Sequence, residues 1–271
     1  MSLDYELEPV VIDGERWAVL TPWHNQVQRG AFLAAWHVGK RAPLIMARDE
    51  DGIGCARMKN LLLDKAEEAG IDGVVVLDDD CYPDPSAGTV SLLDLIENHW
   101  KCLRPQPVPM AVEVTRPMSR GTPYRNRALT MPVAASMGFW SHVGDYDALG
   151  QLVHGATHPM EFERRTIFGS YFPLCGMNLA FYPKRWRPWC EFIDVSRFDD
   201  IWMGWLFEKE AYRRGHCFNL GGPIVRHSRQ SNVWVNLRDE AKWLEANETI
   251  WQYIAESSAT DYPSLRGLLP V

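Results

Sequence analysis

The stretch from Gly73 to Pro85, GVVVLDDDCYPDP, constrains the fold of this chain more than any other. Val74, Val75, Val76 and Leu77 show no alternation of apolar and polar residues. So short and so apolar a run reads as a strand covered on both faces, the condition of a parallel sheet flanked by helices. Its ending is unusual. A turn needs one Asp or Asn, whereas here Asp78, Asp79 and Asp80 stand side by side. Adjacent carboxylates repel one another, and a cation among them relieves the repulsion. A solvated acidic turn, helped by Pro83 and Pro85, is the ordinary alternative.

The neighbouring segments suit a parallel sheet. RWAVLTPWHN contains a strand from Trp17 to Leu20, and VQRGAFLAAWHVG has helical spacing. APLIMARDEDG is a second strand running into an acidic turn, and GCARMKNLLLDKAEEAG is a helix closed by Gly70. Strands alternating with helices imply right-handed parallel crossovers. Ligands of such sheets bind beyond the carboxyl ends of the strands, where Asp49, Asp51 and the 78–80 run all fall. Farther along, VSLLDLIENHWKCL is expected to be a helix and PMAVEVT a strand. PLCGMNLAFY reads as a strand interrupted at Gly176, DDIWMGWLFEKEAYRRG as an amphipathic helix, and PIVRHS as a short strand. The expected fold is α/β, with a mostly parallel sheet and flanking helices over residues 1–236. A helical C-terminal extension, residues 237–271, packs on the same domain.

Charge narrows the partners. The 271-residue chain carries a formal net charge of −7, which argues against a broad nucleic-acid-binding face. Arg116, Arg120, Arg125 and Arg127 nevertheless cluster in RPMSRGTPYRNR, a local cationic patch suited to phosphate. No signal-type apolar segment opens the sequence and no uncharged run approaches membrane-span length. The six Cys are scattered without a C-x-x-C pair, so reduced thiols and a cytoplasmic location are expected.

If the alternation of the strand continues through the acidic run, Asp78 and Asp80 project to one side. They could then share Mn²⁺ or Mg²⁺, held by oxygens and bridging to a diphosphate. This Asp-x-Asp is similar to that of the GT-A class of nucleotide-sugar glycosyltransferases. DDDCY, VGDYDALGQLV, FPLCGMNLAFY, FDDIWMGWL and RHSRQSNVWVNLRDE occur in this order. Together they resemble the reversibly glycosylated polypeptides, the UDP-arabinopyranose mutase family, from about Gly52 to about Trp251.

The resemblance implies a GT-A-like Rossmann-type fold, a UDP-sugar substrate and metal-dependent cleavage of the anomeric C–O bond. Thr21 and Asn25 fall where such folds hold uracil, with an ordinary loop as the alternative. Asp49 and Asp51 could accept from uracil or ribose, or simply form an acidic turn. Arg57 would point toward the nucleotide, or lie exposed on its helix. Asp79 joins the nucleotide-sugar contacts, and His227 is a further metal ligand beside Asp78 and Asp80. Asp199 and Asp200 suit the first turn of a helix; in the resembling enzymes such aspartates face the sugar, where a carboxylate can act as a base. Arg127 corresponds to the arginine that the family glycosylates, and Arg125, extra in this sequence, competes for that assignment. Two other outcomes stay open. One is a glycosyltransferase acting on a separate acceptor: a glycan, a small molecule, a protein or a modified nucleic-acid base. The other is a non-catalytic nucleotide-sugar-binding protein. A homo-oligomer is also left open.

Overall fold

The computed structural model describes residues 6–50, 52–109, 128–155, 161–187, 189–228 and 232–256. The first half contains β1 (Glu6–Leu7), β2 (Val10–Ile12), β3 (Glu15–Trp23), α1 (Gln26–Ala35), β4 (Arg41–Ala42), β5 (Leu44–Arg48), α2 (Cys55–Glu68), β6 (Gly73–Leu77), β7 (Cys81–Tyr82), α3 (Leu92–Cys102) and β8 (Gln106–Pro109). The second contains β9 (Ala128–Met131), β10 (Val133–His142), α4 (Ala148–His154), β11 (Arg165–Ile167), β12 (Asn178–Phe181), α5 (Pro183–Trp186), α6 (Asp199–Arg213), β13 (Cys217–His227) and α7 (Val233–Glu256).

The main sheet runs β11-β13-β10-β12-β6-β3, with β2 and β5 sharing the outer edge of β3. β3, β5 and β6 are parallel, and so are β10 and β13. β12 lies antiparallel between β6 and β10, so the five major strands all point one way. This is the expected α/β architecture with a mostly parallel sheet. Its consequence is geometric. The carboxyl ends of β3, β5, β6, β10 and β13 and the amino end of β12 share one edge of the sheet.

Burial explains the strands. Residues Val74 to Leu77 are at most 1% exposed, as their lack of alternation requires. β10, VAASMGFWSH, is buried over its first eight residues. β13 extends well beyond the expected PIVRHS, because Gly221, Gly222 and Pro223 lie within it where its register against β10 shifts. Helix starts follow their caps: Asn25 accepts from the amides of Val27 and Gln28, and Ser91 from that of Asp94.

The C-terminal helix α7 begins at Val233 and packs on α4 and α6. Its buried Glu240 pairs with Arg197, just before α6, and accepts from the Ala148 amide at 2.7 Å. Asn247 accepts from the Trp202 indole at 3.0 Å. Among the described residues no helix is long and apolar enough to cross a membrane.

Candidate active site

At the shared sheet edge the acidic run takes a turn rather than continuing as a strand. The Asp78 amide donates to the Met177 carbonyl at 3.2 Å, and the Cys81 amide to the Asp78 carbonyl at 3.1 Å. β7 then joins β13, placing Cys81 opposite His227. The two-residue alternation therefore ends at Leu77, and the outer carboxylates have different partners. Asp80 Oδ2 faces His227 Nε2 at 3.6 Å, whereas Asp78 Oδ1 is 3.2 Å from the ammonium of Lys59. Asp79 is buried beside them.

A cleft of about 190 Å³ opens at this edge, lined in part by Trp23, Asp49, Cys55 and Asp78 to Asp80. Asp49 also organises the chain: its carboxylate accepts from the Ile53 and Gly54 amides at 2.7 and 3.1 Å, capping the approach to α2. Trp23 carries the guanidinium groups of Arg29 and Arg48 at 5.0 and 5.4 Å from its ring, within cation–π range.

From the second half of the chain, α6 presents Asp199 and Asp200. The Gly176 amide donates to Asp200 Oδ2 at 2.6 Å, fixing the turn before β12. Asp199 is 6% exposed, and its Oδ2 has no hydrogen-bond partner. Burial, followed by repulsion from Asp200, pushes the Asp199 carboxyl up to about 7 although Lys59 opposes the shift. Burial likewise raises Asp78 and Asp200, again against Lys59. Burial would lower His227, but Asp80 and the Val143 carbonyl more than offset it and hold the imidazole above its ordinary value.

The other expected residues separate into those near the cleft and those engaged elsewhere. Thr21 is fully buried in β3, its hydroxyl without a hydrogen-bond partner. Asn25 is the cap of α1. Arg57 is exposed and paired with Asp194 at 2.7 Å. Asp51, Arg125 and Arg127 lie outside the described residues.

Two site residues escaped the sequence reading. Lys59 is 3% exposed and faces the acidic groups. Its signal was positional: Leu62, Leu63 and Ala66, all buried, stand three, four and seven residues after it on one helix face. Arg57, two residues earlier, is turned by about 200° to the opposite side. The second is Asp145, within VGDYDALGQLV, whose carboxylate lies 3.7 Å from Cys175 Sγ and interacts electrostatically with His227, Asp78 and Asp80.

The donor chemistry at one point suits a hard divalent cation. His227 Nδ1 meets the Val143 carbonyl at 3.0 Å. In the neutral ring that contact places the proton on Nδ1 and leaves the Nε2 lone pair facing Asp80. Asp80 and His227 therefore fit as a carboxylate–imidazole pair. Among the described residues, no three His, Cys, Asp or Glu side chains converge as a ready-made metal cluster.

Residues 69–261 match the family model described as "Reversibly glycosylated polypeptide". "Probable UDP-arabinopyranose mutase 1" of Pisum sativum is 32% identical over 195 residues, covering 65% of this chain and 52% of that protein. "UDP-arabinopyranose mutase 1" of Arabidopsis thaliana is 31% identical over 209 residues, covering 69% and 56%. The chain thus spans about half the length of the curated relatives it matches. A solved structure titled "Crystal Structure of A197 from STIV" overlaps 78% of this chain and 81% of its own at 10% identity, with a TM-score of 0.35. The family match covers the acidic run, Asp145, the Asp199–Asp200 pair and His227, and on that ground the chain belongs to the reversibly glycosylated polypeptide family.

Proposed function

We propose that the protein is a UDP-sugar mutase: it cleaves the anomeric C–O bond of a UDP-sugar and rejoins the sugar to UDP in another ring form. The observation that carries this reading is the meeting of Asp78–Asp80, His227 and the Asp199–Asp200 pair at one sheet edge, in a family whose relatives are named UDP-arabinopyranose mutases.

Asp80 and His227 would hold Mn²⁺ or Mg²⁺, the imidazole binding through its neutral Nε2. A cation held there would offset the negative charge of the diphosphate. Asp49 and Trp23 form the nucleotide side of the cleft in a GT-A-like manner. Asp199 faces the sugar: burial and the neighbouring Asp200 favour its protonated form, in which it can donate to a sugar hydroxyl, and ionised it accepts. Asp200 holds the Gly176 turn in place. Arg127, with Arg125 as its competitor, stabilises the departing diphosphate through its planar guanidinium.

Incubation with a panel of UDP-sugars in Mn²⁺ tests the reading. Isomerised UDP-sugar without added acceptor is expected. Release of UDP only when an acceptor is present would replace the mutase with a glycosyltransferase of the same cleft. Neither product, with UDP bound, would leave a nucleotide-sugar-binding protein.

A further inference from the structure

Lys59 has no task in the chemistry above, yet it is buried beside Asp78. Removing an ammonium from water is costly unless carboxylates compensate it. Asp78 lies 3.2 Å away at the end of β6. Asp199 and Asp200, on α6, also act on it electrostatically. The contacts leave little freedom. A methyl group built on Gly176 would lie 3.3 Å from Lys59 Nζ and 3.1 Å from Asp200 Cβ, so both side chains pack against that glycine. The Phe192 ring covers the ammonium at 5.1 Å. Asp199, with its buried and unbonded Oδ2, completes the surroundings. On the other side of Asp78, Asp80 turns away toward His227.

We propose that Lys59 is a positioning residue that divides the acidic cleft: it is the fixed cation of Asp78, Asp199 and Asp200, and it confines a divalent cation to the Asp80–His227 side. The second clause rests on the metal reading above; the first does not. The physical reason is that two cations cannot occupy one small carboxylate pocket without strong repulsion. A lysine tethered by its helix holds its place without needing a high metal concentration. Lys59 also lies before the segment matched to the family, so α2 supplies the countercharge for aspartates of the matched segment.

The test uses the whole chain and Mn²⁺ alone. Paramagnetic resonance titration of the wild type is expected to show one bound Mn²⁺, and Lys59→Met a second, weaker one. Lys59→Arg should keep the single site. Separately, in EDTA, Asp199→Asn should raise Tm by about 2–10 °C more in the Lys59→Met background than in the wild type, the coupling expected of directly interacting charges. Should Lys59→Met alone fail to fold, the cycle is run in the Asp78→Asn background, with the same coupling expected. Equal Mn²⁺ counts in wild type and Lys59→Met would overturn the confinement, and absence of coupling in EDTA would overturn the countercharge. A wild type that binds no Mn²⁺ sinks the metal reading and the confinement with it, while the EDTA cycle still decides the countercharge.

Discussion

Replacing Gly176 with alanine puts one methyl group where the Phe192, Asp200 and Lys59 side chains meet. The new Cβ would lie 2.8 Å from Phe192 Cε1, 3.1 Å from Asp200 Cβ and 3.3 Å from Lys59 Nζ. Carbon atoms pack at about 3.5–4.0 Å, so the ring must retreat by roughly 0.7–1.2 Å. Phe192 is 3% exposed and has no solvent to retreat into. Overpacking of this kind costs about 1–3 kcal/mol, which in a chain of this size lowers Tm by roughly 2–12 °C. The displaced ring and turn also shift Lys59 and Asp200, so UDP-sugar turnover should fall further than stability alone explains. Gly138→Ala is the control. Its Cβ would collide with the Asn178 side chain of β12 and with the Pro223 carbonyl of β13, destabilising β10 against both neighbours without touching Lys59. Calorimetric Tm and turnover at a temperature well below both transitions separate the two. Wild-type Tm in Gly176→Ala, or the same turnover loss per degree of Tm in both variants, would refute the reasoning.

Four further outcomes are expected. Asp80→Asn should abolish the Mn²⁺ dependence of UDP binding; equal UDP affinity in Mn²⁺ and EDTA for the wild type, by calorimetry, would remove the metal role. Burial lowers His99 to about 4 despite its bond to Asn178, while the unfolded side chain titrates near pH 6.5; between those values the unfolded chain binds the additional proton, so acidification costs on the order of 3 kcal/mol. His99→Gln should flatten Tm against pH in that window, and an unchanged slope would contradict it. Glu240→Ala leaves Arg197 without its buried partner and the Ala148 amide without its acceptor, and should cost about 1–3 kcal/mol, measured by urea denaturation; a loss within ±0.5 kcal/mol would show that α7 does not brace the start of α6. If the mutase reading holds, intact-mass analysis after incubation with labelled UDP-sugar should show one glycosyl unit, mapped to Arg127 rather than Arg125 and removed by excess UDP.

What could be foreseen followed the strength of local signals. β3, β5 and β6 are apolar runs bounded by polar turns, and α2, α3 and α6 have caps or periodic apolar faces, so all six were legible. β10 was not. Its alanines, serines and glycine give neither alternation nor strong β-propensity, and only burial on both faces makes it a strand. β13 was foreshortened because a Gly-Gly-Pro sequence ordinarily marks a turn, whereas here it sits at a shift of register inside the strand. In the site, carboxylates at strand ends could be placed from topology alone. The turn at Asp78 could not, since it depends on Met177 from a distant part of the chain. Lys59 was passed over for Arg57 because a helix lysine is ordinarily solvated, whereas here Asp78 of the acidic run and the charges brought in by α6 make its burial tolerable.

The position of β6 between β3 and β12 matters for more than the cleft. The segment matched to the family begins at residue 69 and so contains β6 but not β3. A chain cut there would keep an all-apolar strand with one flank of backbone donors and acceptors stripped of partners. Such a flank is a template for the same strand of another copy. The N-terminal segment is therefore a guard against self-association as well as a wall of the cleft, and a fragment chosen by family resemblance alone would be drawn toward aggregation.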